Sequence, residues 1–128
     1  MKHSFFLPTI LFSIIITACK SDETIISETA LGYLESVSNY RIDDAAPYAT
    51  KKTKETTLKF IKDVVIPMTD TNYLKSAVPA TVTIDSIKII KSDTAIAYFT
   101  KVSPLNTVHN SVTLIKEEDN WLVNVLIE

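Results

Sequence analysis

Few residues in this chain have the chemistry for catalysis. There are two histidines, His3 and His109, and one cysteine, Cys19. General acid–base work needs a titratable group tuned near neutrality inside a cleft. His109 is the only imidazole beyond the N-terminal segment, and its place beside Asn110 at the start of a strand pattern predicts a surface position. Metal centres need three or four clustered ligands, commonly His and Cys; one histidine and one cysteine do not make such a set. The run Glu117–Glu118–Asp119 lacks the spaced oxygens and the glycine of a calcium loop, and reads as a polar turn. No serine carries a nucleophile motif or a matching histidine–carboxylate partnership. The route left open is an aspartate paired with a tyrosine in an apolar cavity, an isomerase-like arrangement. Asp43, Asp44 and Asp85 are the available acids, the first two read as helix caps and the third as a strand bend. Gly32 is the single glycine, so phosphate-cradling loops and dinucleotide fingerprints are excluded and no cofactor is expected. The formal charge of −2, with no basic patch, excludes nucleic acid as a partner.

The N-terminus speaks of address. Met1–Lys2–His3 is a short basic start, followed by an apolar run over 5–16 broken only by Pro8, Thr9 and Ser13. That run is too short to span a bilayer, which takes ~20 apolar residues, and polar Lys20–Ser21–Asp22–Glu23 follows at once. Together these describe an export signal. Its end, Ile16–Thr17–Ala18–Cys19, resembles the lipobox of bacterial lipoproteins, with Thr17 a tolerated rather than preferred residue. The resemblance implies that the Cys19 thiol receives a diacylglyceryl group, that a peptidase cuts before it, and that two or three acyl chains hold the product on a membrane. The alternative is a plain export signal that ends on a cysteine by chance. Lipidation also accounts for a lone cysteine in an exported chain, where no intramolecular disulfide can form. The second mature residue is Lys20 rather than the aspartate that, in the sorting rule of enteric bacteria, retains lipoproteins at the inner membrane, so the expected address is the outer membrane. Lys20–Ser21–Asp22–Glu23 also resembles the short acidic signal for surface display, with a solvated tether as the alternative. The expected organisation is a signal peptide over 1–18, a lipidated tether over 19–26, and one domain over 27–128.

Within that domain the hydrophobic period is helical first and strand-like later. Ile26, Ala30, Tyr33, Leu34, Val37 and Tyr40 form one stripe and predict a helix over 27–40. Asp43 or Asp44 is expected to cap a short helix through Tyr48. Thr53 is expected to cap a third helix ended by Pro67, with Leu58, Ile61, Val65 and Met68 on its core side and Phe60 and Val64 beside them. Its lysines, Lys51, Lys52, Lys54, Lys59 and Lys62, predict a solvated face. Residues 69–79 read as an irregular connection containing Tyr73. From Ala80 the period is two: Val82 and Ile84, then Ile87 and Ile89 on the opposite parity, which predicts a bulge at Asp85–Ser86. Ala95 to Val102, Val108 to Lys116, and Trp121 to the C-terminus are three further strands. Helices followed by an antiparallel meander make an α+β domain with the helices on one face of a curved sheet of about four strands.

This order, with Lys91–Ser92–Asp93–Thr94–Ala95 between two strands and Leu114–Ile115–Lys116–Glu117 leading to Trp121–Leu122–Val123 across the last hairpin, is similar to the nuclear transport factor 2-like (cystatin-like) fold. Within it, the chain resembles small bacterial lipoproteins whose domain has no assigned function. The resemblance implies a cone with a cavity between helices and concave sheet, which Tyr33, Tyr40, Tyr48, Tyr98, Phe99 and Trp121 either line or fill. Relatives of the fold include enzymes, small-ligand binders and interaction modules, so fold alone does not choose among them. The expected function is a membrane-anchored, non-catalytic module binding an envelope protein, peptide or glycan. A carrier of a small apolar ligand in the cone, or an isomerase-like enzyme, is the alternative.

Overall fold

A computed structural model of the chain describes residues 20–125. The expected signal segment over 1–18, Cys19 and the last three residues lie outside this range. The architecture is α+β, with helices followed by a four-stranded antiparallel sheet in the order β1-β2-β3-β4.

Helix α1 spans Asp22–Ser38 and starts five residues ahead of the sequence expectation. Ser21 is its N-cap, accepting from the Thr24 N–H at 3.2 Å, and Asp22 and Glu23 complement the positive end of the helix dipole. Lys20 folds back onto Glu28 at 3.0 Å. Lys20–Ser21–Asp22–Glu23 is therefore the start of the domain rather than a tether, and residues 22–26 are helix. The other end closes with Tyr40 in the left-handed region at φ 60, where the Arg41 N–H reaches the Ser36 carbonyl at 2.8 Å. The Asn39 side chain exchanges two hydrogen bonds with the backbone of Ala80, fixing the far end of α1 to the start of the sheet.

Helix α2 (Ile42–Ala45) runs into a single 3₁₀ turn, Ala46–Tyr48. Asp43 and Asp44 sit in its first turn instead of at the cap, and Asp43 holds Lys62 at 2.8 Å. Helix α3 covers 51–68. Its N-cap is Thr50 rather than Thr53, and it contains two π-helical stretches, Lys54–Leu58 and Ile61–Val65. Each i→i+5 turn adds a residue and rotates everything after it. The inward residues are consequently Thr53, Thr57, Leu58, Ile61 and Ile66, with a step of five from Ile61 to Ile66 where a step of four to Val65 was expected. Val65 and Met68, expected on the core side, are exposed, Met68 at 81%. Helix α3 continues through Pro67, whose missing N–H leaves no bond to lose where the α pattern has already given way. Residues 71–76 are a fourth helix, α4 (Thr71–Ser76), with Asp70 accepting from the Asn72 N–H at 2.7 Å, a cap the expected loop concealed.

The strands are β1 (Thr81–Lys91), β2 (Thr94–Val102), β3 (Thr107–Glu117) and β4 (Asn120–Val123). The register of β1 against β2 slips between Ile84 and Ser86, at the parity switch, and again between Ile89 and Lys91. Ala95, Ala97 and Phe99 point inward with Val82, Val112, Leu114, Trp121 and Val123, and α1 lays Ile26, Ala30, Tyr33 and Leu34 across them.

β4 ends at Val123, and threonines of α3 take over its outer edge. The Thr50 N–H donates to the Val123 carbonyl at 2.9 Å. The Val125 N–H donates to Thr53 Oγ1 at 2.9 Å, and Thr57 donates to the Val125 carbonyl. Hydroxyls here do the work of a missing neighbouring strand. Thr53→Val keeps the volume but takes the acceptor from the part-buried Val125 N–H, while the Thr50 hydroxyl keeps Asn124 Oδ1 as its partner. It is expected to cost ~2 kcal/mol in urea denaturation, a typical penalty for an orphaned buried polar group. A change below a few tenths would show that water replaces Thr53.

Candidate functional site

The interior of the domain is filled. Tyr33, Phe99 and Trp121 are buried in one cluster with Ala95, Ala97, Leu114 and Val123. Burial pushes the Tyr33 phenol up to about 12, so it stays neutral at physiological pH. Tyr40 is half-buried at the end of α1, its phenol raised by desolvation and then by nearby Tyr73. Tyr98 belongs to the opposite face of the sheet, paired with Ser86 and Ser111 and 41% exposed, so it lines no space beneath the helices. The reason is strand alternation: with the small Ala95 and Ala97 turned toward α1, Tyr98 must turn away. Of the six aromatic residues expected around a cavity, the structure brings Tyr33, Phe99 and Trp121 together as packing.

Tyr48 and Trp121 meet elsewhere. They share a surface cleft of about 370 Å³ between the first turns of α1, the Ala46–Tyr48 turn and the β3–β4 hairpin, lined also by Ile25, Thr29, Pro47, Asp119, Asn120 and Leu122. The cleft is positioned by the one glycine. A Cβ on Gly32 would lie 2.7 Å from both Cε atoms of Tyr48, so the ring rests on the bare backbone of α1. The β3–β4 turn closes the other side with Glu118 and Asp119 both at positive φ. Trp121 is 4% exposed and its Nε1 is buried with no hydrogen-bond partner. An indole N–H finds a partner in most buried settings; this one is closed off from solvent within the packed side of the ring, while Trp121 as a residue walls the cleft. Lys116 sits 5.9 Å from the centre of the ring. Asp119 is the only charged lining residue, which suits a neutral or cationic ligand.

Gly32→Ala separates helix propensity from the aromatic seat. Alanine at an interior helix site gains ~1 kcal/mol over glycine, but here it displaces Tyr48. The substitution is expected to stabilise a Tyr48→Ala background by about that amount and the native background by distinctly less. Equal effects in both backgrounds would show that the ring does not depend on Gly32.

Two other clusters bear on chemistry. On the outer sheet face Thr100 donates to Asp85 Oδ2 at 2.7 Å and lies 2.9 Å from His109 Nδ1, linking β1, β2 and β3. With its one proton on the carboxylate, the hydroxyl accepts from Nδ1–H. All three lie outside the core, with His109 and Asp85 exposed to solvent, so nothing excludes water from them. A groove of about 340 Å³ runs between α2 and the π-helical part of α3, floored by Ile42, Ala46 and Leu58. Two of its three lysines are engaged, Lys62 with Asp43 and Lys59 with Asp63 at 3.3 Å, and the third, Lys54, lies near the acids Glu55 and Asp63 of the same lining. Among the described residues no group of three or more His, Cys, Asp or Glu could hold a metal ion. Every carboxylate among them is exposed except half-buried Glu35.

The sequence reading missed the cleft as a site. It placed Tyr48 and Trp121 in one list, but two elements far apart in sequence had to close before they shared a surface. No family model matches the sequence, and no curated protein matches it. Among solved structures, an NTF-2-like protein of unknown function from Shewanella oneidensis MR-1 is similar, with a TM-score of 0.49 and 17% identity over 78% of this chain and 92% of that one. No residue role is carried over from it.

Proposed function

We propose that this chain is a lipid-anchored module of the bacterial cell envelope, nuclear transport factor 2-like in class, that binds a partner at the Tyr48–Trp121 cleft and does not turn it over. Ile16–Thr17–Ala18–Cys19 supports the anchor and Lys20 the outer-membrane address. The observation that carries the binding role is the open cleft itself, walled by Trp121 and by the exposed ring of Tyr48. The filled interior and the exposed carboxylates argue against a carrier of apolar ligand in the cone and against an isomerase-like site. Surface display belongs to the same proposal, though Ser21, Asp22 and Glu23 already have a structural task as the cap of α1.

Native mass spectrometry of the mature chain, extracted from its own envelope, tests the reading. A bound molecule is expected on the native chain and absent from Tyr48→Ala, which takes away the exposed aromatic wall of the cleft. A molecule retained equally by both would move the site away from the cleft. Recovery of that molecule chemically altered would overturn the non-catalytic assignment.

A further inference from the structure

We propose that the tip of the β1–β2 hairpin, Ile89 and Ile90 between Lys88 and Lys91, is seated in the interface of the bilayer to which Cys19 is attached. The inference rests on the lipid-anchor reading and adds an orientation to it.

The geometry points one way. β1 runs antiparallel to α1: Ala80, the residue just before it, is bonded to Asn39 at the end of the helix, while Ile84–Ile87 share a surface cleft with Glu23, Thr24, Ser27 and Glu28 at the beginning. Beyond Ile87 the strand continues through Lys91. Four strand residues extend about 13 Å, whereas the helix from Thr24 back to Asp22 takes up only about 3 Å. The hairpin tip therefore overhangs the end of the domain from which the chain toward Cys19 departs. Only Lys20 separates Cys19 from the cap residue Ser21, so an acylated Cys19 would bring that end against the lipid.

The chemistry at the tip fits a membrane interface. Ile89 and Ile90 are 43% and 49% exposed, and two successive isoleucines are open because the register slips between Ile89 and Lys91. Lys88 and Lys91 are exposed, and neither joins an ion pair among the described residues. Long basic side chains beside an apolar pair can leave the isoleucines in the interface while their own charges stay at headgroup level. The acids at this end, Asp22, Glu23, Asp93, Glu117, Glu118 and Asp119, outnumber the lysines, so the contact is apolar insertion rather than attraction to anionic lipid.

Acylation consumes Cys19, so Ile90→Cys in the full chain carries a single free thiol for an environment-sensitive fluorophore. Ser76→Cys, exposed in α4 at the other end of the domain, is the reference. The labelled lipoproteins are placed in vesicles of phosphatidylcholine and phosphatidylglycerol. The Ile90 probe is expected to be blue-shifted, quenched by spin-labelled lipid and shielded from aqueous iodide, with the Ser76 probe quenched by iodide alone. Probes equally open to iodide on protein that floats with vesicles and carries acyl mass would overturn the orientation and leave the anchor intact. Protein that neither floats nor carries acyl mass would remove the anchor and this inference with it. Shielding of the Ile90 probe in detergent that grows with protein concentration would assign the isoleucines to a second copy of the chain, and also overturns the proposal.

Discussion

Replacing Trp121 by alanine is expected to remove about 3–5 kcal/mol of folding stability, the usual range for emptying a large buried aromatic site. Trp121 follows the β3–β4 turn directly, yet it is 4% exposed and packs in the cluster that contains Tyr33, Phe99, Leu114 and Val123. Removing it opens a void between α1 and the sheet that these neighbours fill only in part. The orphaned Nε1 adds a second expectation. Phenylalanine at this position loses some volume but also removes a buried donor that has no partner, so Trp121→Phe should cost far less than Trp121→Ala, about 1 kcal/mol or less. Urea denaturation of the three proteins checks both. An unfolding midpoint unchanged in Trp121→Ala would show that the ring is not part of the core. A Phe variant as unstable as the Ala variant would show that the N–H is satisfied after all, by ordered water.

Cys19→Ala is expected to abolish incorporation of labelled fatty acid and to leave full-length precursor, because only a thiol accepts the diacylglyceryl group and cleavage follows its addition. Cys19 lies just outside the described residues, two positions before the N-cap of α1. That proximity makes the outcome two-sided. Lipidation should vanish, while cooperative unfolding of the domain should persist, since Ser21 supplies the cap of α1 and the core cluster is formed among residues 25–125. Undiminished labelling in the variant would refute the anchor. Loss of cooperative unfolding would mean that the segment before Lys20 contributes to the fold.

Some of this molecule was legible in the sequence because it follows from local periodicity. The β1 bulge is the clearest case. Val82 and Ile84 keep one parity and Ile87 and Ile89 the other, and a strand can satisfy both only by inserting a residue, which the register does between Ile84 and Ser86. The order of helices and strands came from the change of period at Ala80 in the same way. The start of α1 was also readable, since Ser21–Asp22–Glu23 is a capping sequence, but the resemblance to a sorting signal competed for the same residues.

Tertiary contact decided the rest. β2 offers apolar side chains on both faces, and periodicity cannot say whether Ile96 and Tyr98 or Ala97 and Phe99 go inside. The small pair Ala95 and Ala97 lies under α1, where both are fully buried, and this close approach sends Tyr98 outward. In α3 the π-helical turns replaced Val65 and Met68 by Thr57 and Ile66 on the inner side. That shift accompanies the bonds of Thr53 and Thr57 to Val125, some seventy residues away in sequence, which no local pattern encodes. The cleft depends on the same kind of event. Tyr48 has room only because Gly32 has no side chain, and it faces Trp121 only because the last hairpin closes against α1. The sequence by itself determined the α+β order, the bulge and the small set of residues available for chemistry, because these follow from residue type and period. Which faces turn inward, and which aromatic residues pack or meet at the surface, was decided by the close packing of elements distant in the chain.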